Sequence, residues 1–106
     1  MSDDQLDRVF GALADRTRRA ILAQLTADDA SVGDLTALFT MSQPAISKHL
    51  KVLEQAGLIS RTRQGTVRLS HLEAAPLRDA TVWMADYRTY WSESYRRLDE
   101  LLRSLD

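Results

Sequence analysis

The side chains able to do chemistry in this chain gather between residues 42 and 68. Ser42, Gln43, Ser47, Lys48, His49 and Lys51 come first, and Arg61, Arg63 and Arg68 follow. Hydroxyl, amide and imidazole groups both donate and accept hydrogen bonds, while lysine and arginine add fixed positive charge. Such a set suits a patterned polyanion better than bond-making catalysis. His49 has Lys48, Leu50 and Lys51 as neighbours and no adjacent carboxylate to orient it as a base. No G-x-S-x-G turn, phosphate-binding loop or glycine-rich dinucleotide turn occurs. The chain reads as a binding protein and not as an enzyme.

A net charge of −1 over 106 residues hides this basic segment. Residues 1–41 carry a net −3 and residues 69–106 a net −2, whereas residues 42–68 carry +4, with Glu54 the one acid among five cations. A basic middle between acidic ends is the footprint of a local anion-binding surface. With 44% hydrophobic and 27% charged residues the composition is that of one globular domain spanning 1–106. There is no cysteine, which removes disulfides, thiol catalysis and thiolate metal ligation together. No apolar run approaches the ~20 residues of a membrane span, and the first residues are acidic, so no membrane partner and a cytoplasmic location are expected.

The elements that must position these groups follow from periodicity. Leu6, Val9, Phe10 and Leu13 predict a first amphipathic helix. Asp15 reads as the cap of a second helix, Arg16 to Leu25, with Ile21, Leu22 and Leu25 inward and the arginines outward. Ser31, with Asp34 three residues on, opens a short helix carrying Val32, Leu35, Leu38 and Phe39. Ser42 caps the next helix, which has Pro44 in its first turn, Ile46, Leu50 and Leu53 on its inner face, and Gly57 just past its end. Leu58 to Gln64 and Thr66 to His71 predict a hairpin turning at Gln64-Gly65. Leu77 to Leu105, free of glycine and proline, predicts a single helix roughly 42 Å long at 1.5 Å per residue.

The expected fold is therefore mainly α with a small β-hairpin, a winged helix-turn-helix. The helix-turn-helix occupies 31–56, the wing 58–71 and a long terminal helix 74–105. Its second helix has an apolar back, a small polar front at Ser42, Gln43, Ser47 and His49, and cations at Lys48 and Lys51. Those are the requirements for entering a DNA major groove, and the amide of Gln43 can bond bidentately to adenine. Arg61, Arg63 and Arg68 of the hairpin would follow phosphates or enter the minor groove. Taken singly, Ser42 is a cap and an arginine-rich hairpin is a solvated edge; their consecutive order makes the pattern specific.

Phe10-Gly-Ala-Leu-Ala-Asp-Arg-Thr-Arg-Arg-Ala-Ile-Leu22 and Met41-Ser-Gln-Pro-Ala-Ile-Ser-Lys-His-Leu-Lys-Val-Leu-Glu-Gln-Ala-Gly-Leu58 resemble the ArsR/SmtB family of bacterial transcriptional repressors. The resemblance covers residues 5 to about 72. It implies a homodimer with one winged helix per subunit, double-stranded DNA as partner, and an inverted-repeat operator occluded by the bound dimer, with autorepression frequent. The family's thiolate sensor positions correspond here to Ser31 and Gly33, and the last helix holds no histidine, so no metal site and no cofactor are expected. The resemblance points to the metal-independent branch.

The terminal helix is too long for a body of this size to cover, and its apolar residues recur every three or four positions. Part of that stripe is expected to bury against a second copy. Leu6 and Phe10 of the first helix, with Trp83, Tyr87, Trp91, Leu98 and Leu102 of the last, are the expected dimer interface. Two alternatives stay open: an effector pocket between the terminal helices, lined by the aromatic group, and a winged helix used only to bind proteins.

Overall fold

The computed structural model describes residues 1–105. In chain order it contains α1 (Asp3–Leu13), α2 (Arg16–Leu25), β1 (Ala30–Ser31), α3 (Val32–Leu38), α4 (Gln43–Gln55), β2 (Ile59–Gln64), β3 (Val67–Leu72), α5 (Ala75–Met84), a 3-10 turn (Ala85–Tyr87) and α6 (Arg88–Ser104). Four helices begin on a side-chain cap. Ser2 accepts from the Gln5 amide at 3.1 Å, Asp15 from Arg18 at 3.0 Å, Ser31 from Asp34 at 3.0 Å and Ser42 from Ala45 at 3.3 Å. At Ser31 the bond is reciprocal, since Asp34 accepts the Ser31 amide at 3.0 Å. That amide holds the Asp34 carboxyl below its ordinary range.

The core forms where α1, α2, α3 and α4 meet the base of the sheet. Val9, Ile21, Leu35, Ile46, Leu50, Leu53 and Leu58 are wholly buried there. Each contributes roughly 1.5–3 kcal/mol relative to remaining in water. The end of α4 is set by Gly57 at φ 76°, a left-handed residue that lets the chain reverse. The Gly57 amide then donates to the Glu54 carbonyl and the Leu58 amide to the Leu53 carbonyl, both at 3.0 Å. This pairing, with Leu53 and Leu58 buried together, closes the helix and aims the chain into β2.

The sheet has three strands in the order β1-β3-β2, all antiparallel, where the periodicity predicts two. The added strand is the pair Ala30–Ser31, which lies in the polar break before α3 and is too short to show an alternating pattern. The hairpin turn is centred on Gly65-Thr66, one residue later than expected, because Gln64 pairs with Val67 and Gly65 takes φ 67°. Leu38 is another departure, at 60% exposed. α3 has only seven residues, and its one fully buried side chain is Leu35.

The single terminal helix expected over 77–105 is instead two α-helices joined by the 3-10 turn at Ala85–Tyr87. The change comes where the chain leaves the body. Pro76 and Ala80 of α5 are buried, whereas α6 has no buried residue at all. Main-chain angles stay right-handed helical through Met84 and Arg88, so the ladder tightens without reversing. α6 is held by its own i,i+4 pairs, Arg97–Glu93 at 3.9 Å, Arg96–Glu100 at 3.7 Å and Arg103–Asp99 at 2.9 Å. The result is elongated, 63 × 33 × 20 Å, with a radius of gyration of 18.3 Å against roughly 13 Å for a compact chain of this length. No helix among the described residues is long and apolar enough to cross a membrane.

One ion pair fastens the sheet to the loop after α2: His71 Nδ1 lies 2.7 Å from Asp29 Oδ1. The hydrogen bond to Asp29, and then its charge, raise the His71 pKa above 6.5. The protonated form is therefore favoured by folding, and this contribution is complete below the unfolded value and is lost as pH rises through the raised folded one. The melting-temperature difference between wild type and Asp29→Asn should accordingly be larger at about pH 5.5 than at about pH 9. A difference that stays constant, or grows, as pH rises would show that the pair does not hold the sheet.

Candidate nucleic-acid interface

α4 is built as a two-faced element. Ile46, Leu50 and Leu53 are wholly buried, while Ser42, Gln43, Lys48 and Lys51 are exposed and Ser47 is half-buried. Because Ser42 uses an oxygen lone pair to cap Ala45, its hydroxyl hydrogen remains free to donate outward. Of the first-turn amides of α4 only that of Gln43 is uncommitted, because Pro44 has none and those of Ala45 and Ile46 donate to the Ser42 hydroxyl and carbonyl. Gln43 stands at the first helical position, where a helix entering a groove meets base edges.

His49 belongs elsewhere, which corrects the groove-facing expectation. Its side chain is 17% exposed, and its Nδ1 lies 3.3 Å from Arg18 Nη1 and 4.0 Å from Asp15 Oδ1. A guanidinium only donates, so Nδ1 is the acceptor and the ring is turned toward α2. Arg18 is the residue that sequence reasoning missed, having placed the α2 arginines outward. Its Nε donates to the Ala12 carbonyl at 2.8 Å and its Nη2 to the Gly11 carbonyl at 3.1 Å. One side chain thus joins the last turn of α1, the start of α2 and the middle of α4. The Asp15 cap of the Arg18 amide was the available signal, and that same bond is the largest cause holding the Asp15 carboxyl below its ordinary range. Arg19 behaves similarly, donating to the Leu13 carbonyl at 2.7 Å.

The hairpin brings its three arginines to one face. Arg61 pairs with Ser70 and Arg63 pairs with Arg68 in the antiparallel register, and Ile59 with Leu72 continues the same face toward the body. Like charges directly opposite on a sheet repel, typically by a fraction of a kcal/mol. No acid relieves them. Lys48, Lys51, Arg61, Arg63 and Arg68 form no ion pair among the described residues, in contrast to Arg96, Arg97 and Arg103 on α6. Arg61 Nε and Ser70 Oγ, opposite each other in register, are buried without a hydrogen-bond partner among the described residues. The exposed cations Lys48, Lys51, Arg63 and Arg68 are therefore available to an external anion, while Arg61 is half-buried at the base of the same face.

The expected interface residues divide into two groups. Phe10, Trp83 and Tyr87 meet within the chain in edge-on and tilted contacts, with ring centroids 5.6 Å apart at each step and Leu6 half-buried, although Trp83 and Tyr87 stay 45% and 51% exposed. Trp91, Leu98 and Leu102 remain 56%, 51% and 55% exposed. Together with Tyr95 and Leu105 they are spaced four and three residues apart, the seam of a helix that packs on another helix. Between α1 and α5 lies a cleft of about 210 Å³ lined by Met1, Asp3, Leu6, Asp79, Val82 and Trp83.

Helix-turn-helix, basic wing and a bare polar helix front define a winged helix-turn-helix protein of the DNA-binding class. The profile described as "Bacterial regulatory protein, arsR family" matches residues 15–61. The transcriptional repressor SdpR of Bacillus subtilis is 39% identical over 77% of this chain and 91% of its own length. Among solved structures, the ArsR family transcriptional regulator RHA00566 superposes with a TM-score of 0.78 at 37% identity, covering 87% of this chain and 95% of that one. The homodimeric winged helix-turn-helix DNA-binding domain Mb0332 of Mycobacterium bovis, described as a possible ArsR-family regulator, gives 0.64 at 26% identity, covering 92% and 93%. The chain belongs to the ArsR family: it is a DNA-binding transcriptional regulator, not an enzyme.

The wing offers a test in which stability and binding move apart. Arg63→Gln removes one member of the repelling pair, so urea unfolding of the free protein should show unchanged or slightly raised stability, by up to about 0.5 kcal/mol. DNA affinity should fall for all sequences alike, and the slope of log K against log salt should flatten by about 0.9 for each subunit in contact with DNA. Loss of stability with unaltered DNA binding would assign these arginines to the fold instead.

Proposed function

We propose that this regulator is a dimeric repressor that occludes its promoter by gripping an inverted-repeat operator. The observation that carries the proposal is the set of five unpaired cations around a bare helix front, in a chain whose other segments are net acidic. Two α4 helices related by a two-fold axis enter successive major grooves, roughly 34–36 Å apart. Gln43 reads a base edge, Ser42 and Ser47 bond to bases or phosphates, and Lys48 and Lys51 neutralise the backbone. Arg61, Arg63 and Arg68 lie along the flanking phosphates or in the minor groove. The work is done in the cytoplasm, and the protein's own upstream region is the first operator to examine.

Dimerisation through α1, α5 and α6 is supported by the exposed seam of α6 and by the homodimeric state of the Mycobacterium bovis relative. It also explains why a single chain is so elongated. Unpaired cations arranged for phosphates favour DNA over a purely protein-binding use of the fold.

Footprinting on the upstream region should protect an imperfect inverted repeat. On that site Gln43→Ala should cost about 1–3 kcal/mol per half-site and relax the preference at one base position in each. A variant with wild-type base preference would remove Gln43 from the reading face. Leu98→Glu combined with Leu102→Glu should give a monomer by sedimentation, since neither side chain supports the core of its own subunit. Operator affinity should then fall by about 100-fold or more with the loss of two-site binding. A double variant that still sediments as a dimer would place the interface elsewhere.

A further inference from the structure

We propose that the cleft between α1 and the C-terminal half of α4 binds a small monocarboxylate with an apolar ring or chain. The cleft has a volume of about 540 Å³ and is lined by Arg8, Gly11, Ala12, Val52, Gln55 and Ala56. That is within the range of about 300–1,000 Å³ usual for small-molecule sites. It shares no lining residue with the smaller cleft between α1 and α5. Ala12 and Ala56 belong to the buried core, and Val52 presents an exposed apolar side chain from the opposite wall. Arg8 is the one charged lining residue, is exposed, and has no ion pair among the described residues. A guanidinium beside an alkyl surface fits a carboxylate on an apolar body, because its fork donates to both oxygens at once.

Gly11 is the second observation. Glycine within a helix is destabilising relative to alanine, and such a position usually has a backbone or packing reason. Neither applies here. Its φ is not positive, and a Cβ built on it would meet nothing within 4 Å. Gly11 lines the cleft, so a large side chain at this position has open space to fill.

The walls also matter mechanically. α1 carries Leu6 and Phe10, and α4 carries the DNA-facing front. The Gly11 carbonyl accepts from the same Arg18 that contacts His49 of α4. An occupant wedged between these helices acts on the spacing that Arg18 holds, which makes the cleft an input separate from the aromatic face. The binding itself is a property of the free protein and does not depend on the operator.

The experiment is titration of the ¹⁵N-labelled full chain, without DNA, with 2-naphthoate and separately with neutral 2-naphthalenemethanol. Naphthoate should shift the amides of Gly11, Ala12, Val52 and Ala56 saturably at or below about 5 mM. Arg8→Gln should weaken naphthoate by about tenfold or more while leaving the alcohol within about twofold. Gly11→Leu should abolish both while keeping a melting temperature at or above wild type, since leucine is the better helix former. If Gly11→Leu fails to fold, Val52→Trp closes the cleft from the other wall and is read in the same way. Shifts centred on Trp83, Trp91 or Tyr95, the absence of a saturable shift, or undiminished binding in the filled variant would overturn the site. Naphthoate binding that survives Arg8→Gln intact would overturn the carboxylate class.

Discussion

Everything this chain does depends on α4 being held by one face only. Ile46, Leu50 and Leu53 disappear completely into the core, and the helix ends on a left-handed glycine that buries Leu58 behind Leu53. Such an anchor costs nothing on the opposite face, where Gln43, Lys48 and Lys51 stay in water. A groove-reading helix needs this asymmetry, because base edges are reached only by side chains with no other commitment. The reversal at Gly57 serves both parts of the interface. It satisfies the last carbonyls of α4 and launches β2, so the wing is set in a fixed relation to the helix it flanks.

Electrostatics divides the molecule in the same way. On α6 the arginines are spent on neighbouring acids one turn away, and in α2 Arg18 and Arg19 are spent on carbonyls. In the segment 42–68 the cations are left unneutralised, to the point that Arg63 faces Arg68 across the hairpin. A free protein gains nothing from that arrangement. A row of phosphates converts the repulsion into attraction and releases counterions, which is the usual source of affinity for duplex DNA.

The terminal helices pose the opposite problem, an apolar face with too little protein to cover it. α5 solves it only in part, packing Pro76 and Ala80 on the body and setting Trp83 edge-on to Phe10 while Val82 and Met84 stay exposed. α6 does not, since none of its residues is buried. The 3-10 turn marks the boundary between these two regimes. It tightens the helix where contact with the body ends, and the heptad-spaced seam beyond it stays in solvent.

Much of this was legible along the chain because it is local. Caps at Asp15, Ser31 and Ser42, the inner face of α4, the stop at Gly57 and the basic middle all depend on residues within a few positions of one another. Of the side chains expected to face DNA, Ser42, Gln43, Lys48 and Lys51 are exposed, and Arg61, Arg63 and Arg68 share one face of the hairpin. What tertiary structure alone decided is non-local. It recruited Ala30–Ser31 as a third strand, broke the long helix where packing ends, and turned Arg18 inward to two carbonyls and His49. His49 looked like a groove residue because its neighbours in sequence are polar. Its real partner is 31 residues away, and only the packing of α2 against α4 brings the two together. The residues that α4 leaves in water were set by spacing along one helix, whereas those that hold that helix in place were set by which backbone groups of other elements lay unsatisfied within reach.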